Sequence, residues 1–422
     1  MQIVHVRMNL LVKNIRQLIT CATHGRPYKT GMEMRSVDLV EHATVLIQDG
    51  VFRWIGPDAE FTQPVGDDLT VFDASDLVGL PGFVDAHTHA LFAGSRENEF
   101  AMRAEGKSYE EIANQGGGIL STVRATRAAT KKELKKAASR ILDAMLRHGT
   151  TTVEIKTGYG LDEENELKML EAIHELASEH LAGIVPTFLA AHAVPPEFKH
   201  DPDAYISLIC NRMLPYVAKK RLAEFCDVFC ERGYFSVEQS RRVLSRAREL
   251  GLKLKIHADE LESIGASHLA AELRVTSADH LERIDGEGIG KLKDAGVVAV
   301  LLPGVSFFLN HGYAPARRLI DAGVPLAIAS DVNPGSCMSF NMPLMMTIAC
   351  TQMHLTPEEA ITASTINAAA AVDKSAAVGS VEVGKQADLI LYSVPSYRTI
   401  PYFFGMNHVA TVIKRGTILE FS

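Results

Sequence analysis

No stretch of this chain approaches the roughly 20 consecutive apolar residues that a helix needs to cross a bilayer. A typical apolar run, Val297 to Leu302, ends at Pro303-Gly304, and the first residues interleave Arg7, Lys13 and Arg16 with apolar neighbours. Neither a membrane span nor a signal-peptide core is therefore expected, and a cytoplasmic location is the default. Positive charge is not in excess either: 43 Lys and Arg against 51 Asp and Glu give a net charge of −8 with histidine neutral. That balance gives no electrostatic reason to expect nucleic acid or an anionic membrane as partner. Cysteine is sparse, at six residues, and the closest pair, Cys226 and Cys230, lacks the usual zinc-pair spacing, so all six read as reduced core thiols. Low-complexity tracts and internal repeats are missing as well. What remains is 422 residues of ordinary globular composition, 47% hydrophobic and 22% charged, enough for one large domain with a smaller companion. A soluble enzyme acting on a small molecule fits this profile.

Between Leu80 and Asp331 apolar strand-like runs alternate with amphipathic helical stretches, the signature of repeated βα units around a parallel sheet. Strands are expected to end near His89, Gly158, His192, Gly233, His257, His280, Gly304 and Asp331. The intervening helices include Lys131–His148, Glu163–His180, Val237–Leu250 and Pro315–Ala322. Eight such units close most economically as a (β/α)8 TIM-like barrel. Outside this region the texture changes. Ala43–Gly56 reads as a hairpin turning at Asp49-Gly50, and Asp388–Tyr392 and Val409–Ile418 read as strands. The α/β chain is thus expected to carry a small β-sandwich built from both termini, residues 1–80 and 381–422, around a barrel of residues 81–380. Pro81-Gly82 and Gly384-Lys385 mark the crossings.

The most informative run is Val84-Asp85-Ala86-His87-Thr88-His89, which sets two imidazoles two residues apart at the end of an apolar segment. Residues i and i+2 of a strand share a face, so both rings can reach one ion. A lone His-x-His is weak, because such a pair also arises on a solvated strand. Three later segments strengthen it. Leu252 to His257 ends in a histidine with Glu260 three residues on, Val275 to His280 ends in another, and Pro325 to Asp331 ends in an aspartate. Ionisable residues at strand C-termini are expected where parallel strands converge on an active-site mouth. His87, His89, His257 and Asp331 would supply three neutral nitrogens and one carboxylate, a set suited to zinc or another transition metal and poorly suited to calcium or magnesium. An ion so held, with a position left for water, acidifies that water toward neutral pH and makes it a nucleophile for a carbonyl carbon.

The run Pro81-Gly82-Phe83-Val84-Asp85-Ala86-His87-Thr88-His89, with histidines on the fifth and sixth strands and Asp331 on the eighth, resembles the amidohydrolase superfamily. Within it, His89 to Phe100, Gly116 to Ile119, Glu154 to Leu161, Phe188 to Pro195 and Ser330 to Ser336 resemble the imidazolonepropionase family, over essentially the whole barrel and both flanks. The resemblance implies hydrolysis of 4-imidazolone-5-propanoate to N-formimidoyl-L-glutamate in histidine degradation, one Zn2+ or Fe3+ ion per subunit on His87, His89, His257 and Asp331, and a homodimer. Many superfamily members bridge two metals with a carbamylated lysine. Lys156 stands near a strand end where this is conceivable, but the resemblance favours a single ion and makes Lys156 a structural or supporting residue.

Other roles follow from the same likeness. Arg96 would clamp the propionate of the substrate, the alternative being a solvated surface arginine. Tyr159 would touch substrate and product. His192 would face the ring and donate a hydrogen bond to its carbonyl oxygen as charge develops. Glu260 would bind a ring nitrogen or shuttle its proton. Asn333, Gly335 and Ser336 would meet the polar edge of the substrate, or form a simple turn at Pro334-Gly335. Asp331 would accept the proton of the attacking water, oriented by His280. Two other readings share parts of this pattern: another cyclic amidase or aminohydrolase acting on a purine or pyrimidine, and a non-catalytic scaffold that should have lost ligands.

Overall fold

The computed structural model describes residues 9–63, 69–107, 111 and 116–420, so the first eight residues of the N-terminal segment and the last two of the chain lie outside the described residues. Five strands precede the barrel: β1 (Asn9–Ile19), β2 (Leu39–Gln48), β3 (Val51–Pro57), β4 (Leu69–Asp73) and β5 (Val78–Pro81). The barrel strands are β6 (Phe83–Asp85), β7 (Thr150–Lys156), β8 (Gly183–Ala191), β9 (Phe225–Cys230), β10 (Lys253–Ala258), β11 (Ser277–His280), β12 (Val298–Leu301) and β13 (Leu326–Ile328). Three follow it, β14 (Leu389–Tyr392), β15 (Val409–Lys414) and β16 (Thr417–Leu419).

β6 to β13 pair in chain order, every neighbour parallel, which is the expected barrel. The helices between them form for local reasons. Lys131–Arg147 starts at a capping box in which Thr130 and Glu133 satisfy each other's free amides, and it buries Leu134, Ala138, Leu142 and Met145 along one stripe. Val237–Glu249 repeats the device with Ser236 and Gln239. Glu163–Glu179 is capped by Asp162. The expected helices over these segments hold to within a residue.

Closure of the ring is local. Past the ends of β6 and β13 the two segments stay paired although Asp331 turns to a φ of 50°: Thr88 bridges Val332, His89 N–H donates to Val332 O at 3.0 Å, and Asp331 N–H donates to His87 O at 3.0 Å. Below this seam the buried Asp85 carboxylate accepts from the backbone N–H and the hydroxyl of Ser330. The closing seam therefore carries His87, His89 and Asp331 side by side.

The terminal strands form one continuous eight-stranded sheet, β16-β15-β14-β5-β1-β2-β3, with β4 also paired to β1. C-terminal β14 hydrogen-bonds to N-terminal β5, so the two ends of the chain meet as expected. The sheet bends over its own apolar core of Leu10, Val12, Ile47, Phe52, Leu389 and Ile413. Its two ends approach each other at Ala387, whose N–H donates to Gly50 O while its carbonyl accepts from Gly416 N–H. One expectation needs correction. Val409–Ile418 is not a single strand but the hairpin β15–β16, because Arg415 and Gly416 both adopt positive φ and turn the chain. All six cysteines are unpaired, and five of them are buried. Among the described residues no helix is long and apolar enough to cross a membrane.

Candidate active site

The side chains at the C-terminal end of the barrel assemble around one point. Ligand-capable atoms of His87, His89 and Asp331 lie within 4.8 Å of one another, as do those of His87, His257 and His280, and those of His89, His192 and His257. Asp331 Oδ1 is 3.6 Å from the Nε2 of both His87 and His89. All four residues expected to bind a metal are buried. Burial, aided by the Lys156 ammonium at His87 and by His192 at His89, holds both imidazoles well below the ordinary histidine range, so each keeps a lone pair.

The donor set fits a cation. His87 Nε2, His89 Nδ1, His257 Nε2 and Asp331 Oδ1 are buried without a hydrogen-bond partner among the described residues. Each such orphan costs on the order of 1–3 kcal/mol, and those of His87, His257 and Asp331 are explained together by an ion that takes them as ligands, with His89 turning its Nε2 toward Asp331 Oδ1. Burial and the neighbouring Glu260 also push the Asp331 carboxyl well above the usual range, a penalty that a cation removes.

Behind the ligands the barrel interior is charged. Lys156 Nζ lies 2.7 Å from Asp227, 2.9 Å from Glu154 and 3.4 Å from Asp279, while Lys255 Nζ lies 2.7 Å from Glu154 and 3.6 Å from Asp279. These residues come from β7, β9, β10 and β11, and contacts between strands that are not neighbours cross the interior. Two carboxylates of this array aim at ligands. Asp279 Oδ2 lies 2.6 Å from His87 Nδ1, and Asp227 Oδ2 lies 3.1 Å from His257 Nδ1. A carboxylate accepts, so Asp279 places the His87 proton on Nδ1 and leaves Nε2 free to ligate, and the nearby Asp227 charge favours the same tautomer of His257. Burial alone would favour a neutral Lys156 amine, but Asp227, Glu154 and Asp279 outweigh it and hold Lys156 above the ordinary lysine range. Lys156 is thus an ammonium bonded on three sides, with no room for the conceivable carbamate.

In front of the ligands is a cavity of about 520 Å³. His89, Tyr159, His192, His257, Glu260, His280 and Asp331 line it, with Phe229 and Tyr234 in tilted contact at a centroid distance of 4.3 Å. Arg96 reaches the same cavity. Its Nε and Nη2 both donate to Glu99 Oε2, at 2.9 and 2.7 Å, so the guanidinium is held rather than solvated. Gly335 packs on it so tightly that a Cβ there would collide with Nη1 and Cζ. On the other side of Gly335, Arg103 donates to its carbonyl oxygen at 3.0 Å.

Two side chains at the cavity are fixed by neighbouring backbone. His192 Nδ1 lies 2.9 Å from Gly158 O, and a carbonyl only accepts, so the ring proton sits on Nδ1. Burial, with His257 next, depresses the ring to about 3 and keeps it neutral. His192 therefore turns an Nε2 lone pair toward the cavity, a tautomer that has no ring N–H to donate there. Asn333 spends its side chain on its own loop: Nδ2 donates to Asp331 O and Ser336 Oγ, and Oδ1 accepts from the N–H groups of Gly335 and Ser336. It shapes the turn at Pro334-Gly335 rather than reaching outward. His280 stands 3.6 Å from Glu260 through Nδ1, and burial lowers it to about 4 although Glu260 opposes this.

Residues 78–419 match the amidohydrolase family. The chain belongs to the amidohydrolase family. Members of this superfamily are metal-dependent, and this chain carries the side chains to hold an ion. It is 48% identical over 414 residues to an imidazolonepropionase of Alkaliphilus metalliredigens, covering 98% of both chains. It is 49% identical over 413 residues to one of Geobacillus kaustophilus, covering 97% of both. Among solved structures, a zinc-bound adenosine deaminase from Xanthomonas campestris superposes with a TM-score of 0.73 at 18% identity, over 97% of this chain and 92% of the other. The guanine deaminase of E. coli gives 0.73 at 15% identity, over 97% and 98%. At such identities these two speak for the fold alone. The identity to the imidazolonepropionases places this member of the amidohydrolase family beside them, as a hydrolase of carbon–nitrogen bonds.

Proposed function

We infer that this chain hydrolyses the ring amide of 4-imidazolone-5-propanoate to N-formimidoyl-L-glutamate, a step of histidine degradation. The observation that carries the reading is the pairing, in one cavity, of a cation-binding donor set with a guanidinium held by Glu99. A planar ring with a carboxylate arm needs both ends. A neutral purine or pyrimidine has nothing for Arg96 and Arg103 to neutralise, which disfavours the aminohydrolase alternative. The names of the relatives agree with the inference.

One zinc or iron ion on His87, His89, His257 and Asp331 would supply Lewis-acid polarisation and a water acidified from about 15.7 toward neutral pH. The protein's own groups do the rest. Arg96, with Arg103 beyond Gly335, receives the propionate, and Tyr159 closes over the ring. His192 Nε2 accepts a ring N–H and so orients the ring. The Asp331 carboxylate takes the proton of the water whose oxygen bonds to the carbonyl carbon. When the carbon–nitrogen bond breaks, that proton passes to the departing nitrogen, which becomes part of the formimidoyl group. Glu260 and His280, 3.6 Å apart, hold water and ring nitrogen in place for the transfer. In this reading the enzyme works as a homodimer in the cytoplasm.

The test combines metal analysis of the purified protein with an assay of 4-imidazolone-5-propanoate loss, with and without chelator. One ion per chain and chelator-sensitive loss are expected. A fully metallated protein that leaves the imidazolone untouched would overturn the inference. Asp331→Asn should abolish turnover even in samples that retain metal.

A further inference from the structure

Glu166 is fully buried, and among the described residues no cation pairs with it. A bare carboxylate in such a place is costly unless hydrogen bonds replace its water. They do. Oε1 accepts from the backbone N–H groups of Gly158, Gly160 and Leu161 at 3.1, 2.7 and 2.9 Å, and Oε2 lies 3.2 Å from Gly158 N. The helix Glu163–Glu179, capped by Asp162, carries Glu166 just behind its first turn, where the aligned peptide dipoles also favour negative charge.

The loop so gathered is the one that follows β7. It needs holding, because Leu161 sits at a φ of 54°, a left-handed conformation unfavourable for a branched side chain. Its other end is fixed by Thr157, whose N–H donates to Thr187 O and whose hydroxyl accepts from Leu189 N–H. Between these anchors lie Tyr159, which lines the cavity, and the Gly158 carbonyl, which accepts the His192 Nδ1 proton. The tautomer of His192 and the place of Tyr159 therefore both depend on where this loop lies.

We propose that Glu166 is a positioning residue whose carboxylate latches residues 157–161, and thereby places Tyr159 and sets the ring of His192 at the cavity. It acts on substrate only through that loop. The kinetic half of its test rests on the hydrolase reading above; the hydrogen-exchange half does not.

Glu166→Gln keeps the shape of the side chain but removes its charge and turns Oε2, 3.2 Å from Gly158 N, into an N–H2 group that repels that N–H. Hydrogen exchange, read by mass spectrometry on the metal-loaded protein, should accelerate at residues 158–161 while β7 and the body of the helix stay protected. In the same sample kcat/KM for 4-imidazolone-5-propanoate should fall about 100-fold, the scale expected when reacting groups are misplaced by an ångström, with metal content unchanged. Glu163→Gln, at an ordinary partly exposed position on the same helix, should alter neither quantity. Should Glu166→Gln fail to fold, Glu166→Asp keeps the charge but withdraws it by one methylene, and the same two changes are expected with smaller size. A folded variant whose loop exchanges as slowly as wild type overturns the proposal, and so does one whose loop loosens while kcat/KM stays within about twofold of wild type. Wild-type protein inert toward the imidazolone would instead sink the hydrolase reading and leave exchange to decide the latch.

Discussion

The Nδ1 of His87 lies 2.6 Å from Oδ2 of Asp279, and both side chains are fully buried. This contact fixes the tautomer in which His87 offers Nε2 to an ion. Asp279→Asn preserves shape but removes the charge that supports the imidazole as donor. Metal affinity, measured by competition with a chelating dye, should fall roughly 10–100-fold. An unchanged affinity would mean that the contact is only structural.

Lys156 compensates three buried carboxylates at once. Lys156→Met leaves Glu154 and Asp279 with Lys255 and strips Asp227 of its lysine, and breaking a buried pair in this way costs about 3–5 kcal/mol. Urea unfolding at neutral pH should register that loss. Because the lysine is an ammonium, added bicarbonate should leave metal loading and rate of the wild-type protein as they were; stimulation by bicarbonate would point to a carbamate after all.

Gly335 lies against the guanidinium of Arg96. A methyl group there meets a side chain, not backbone, so Gly335→Ala should leave the fold intact while it pushes Arg96 off its seat on Glu99. It should raise KM for the propionate substrate by about tenfold with a much smaller change in kcat, the pattern of a lost ground-state contact. In an Arg96→Ala background the same substitution should have little further effect. Additive losses in the double variant would separate the two residues.

His180 Nδ1 accepts from Ala182 N–H at 3.1 Å, so the ring must be neutral at that nitrogen to keep the bond. Burial depresses its pKa below the ordinary 6.5, with Asp143 opposing. The unfolded chain thus binds a proton that the folded one refuses, and stability falls as pH drops below about 6.5. His180→Asn should flatten this part of the curve of urea midpoint against pH; an unaltered slope would assign it to another group.

The clustered side chains were legible because they violate a local pattern: His87, His89, His257 and Asp331 each end an apolar run that would otherwise be featureless core. Their partners obey no pattern that can be seen locally. Lys253 and Lys255 look alike in sequence, yet Lys253 is largely exposed and Lys255 is fully buried against Glu154. Parity cannot separate them, since both lie an even number of residues before His257; depth along β10 does, Lys253 being its first and exposed residue. Asp279 and Asp227 became meaningful only when closure brought them to histidines on other strands, 192 positions away in the case of His87. Glu166 reads as one more acidic residue near a helix start, and Arg103 and Glu99 as surface charges on a short helix. Their roles come from loops that fold back over them, which no periodicity announces. The hairpin β15–β16 was hidden for a simpler reason: Arg415 carries the left-handed conformation that glycine usually signals.

Three of the four donors stand on the two staves that meet where the ring of strands shuts, a junction made by one bridge, two backbone hydrogen bonds and the grip of Asp85 on Ser330. A cation seated there is also a rivet between the start and the end of the barrel. Its binding energy adds to that of the closed form by mass action, so a cell short of the ion would hold fewer intact barrels as well as fewer active ones. Melting temperature should accordingly track free metal concentration.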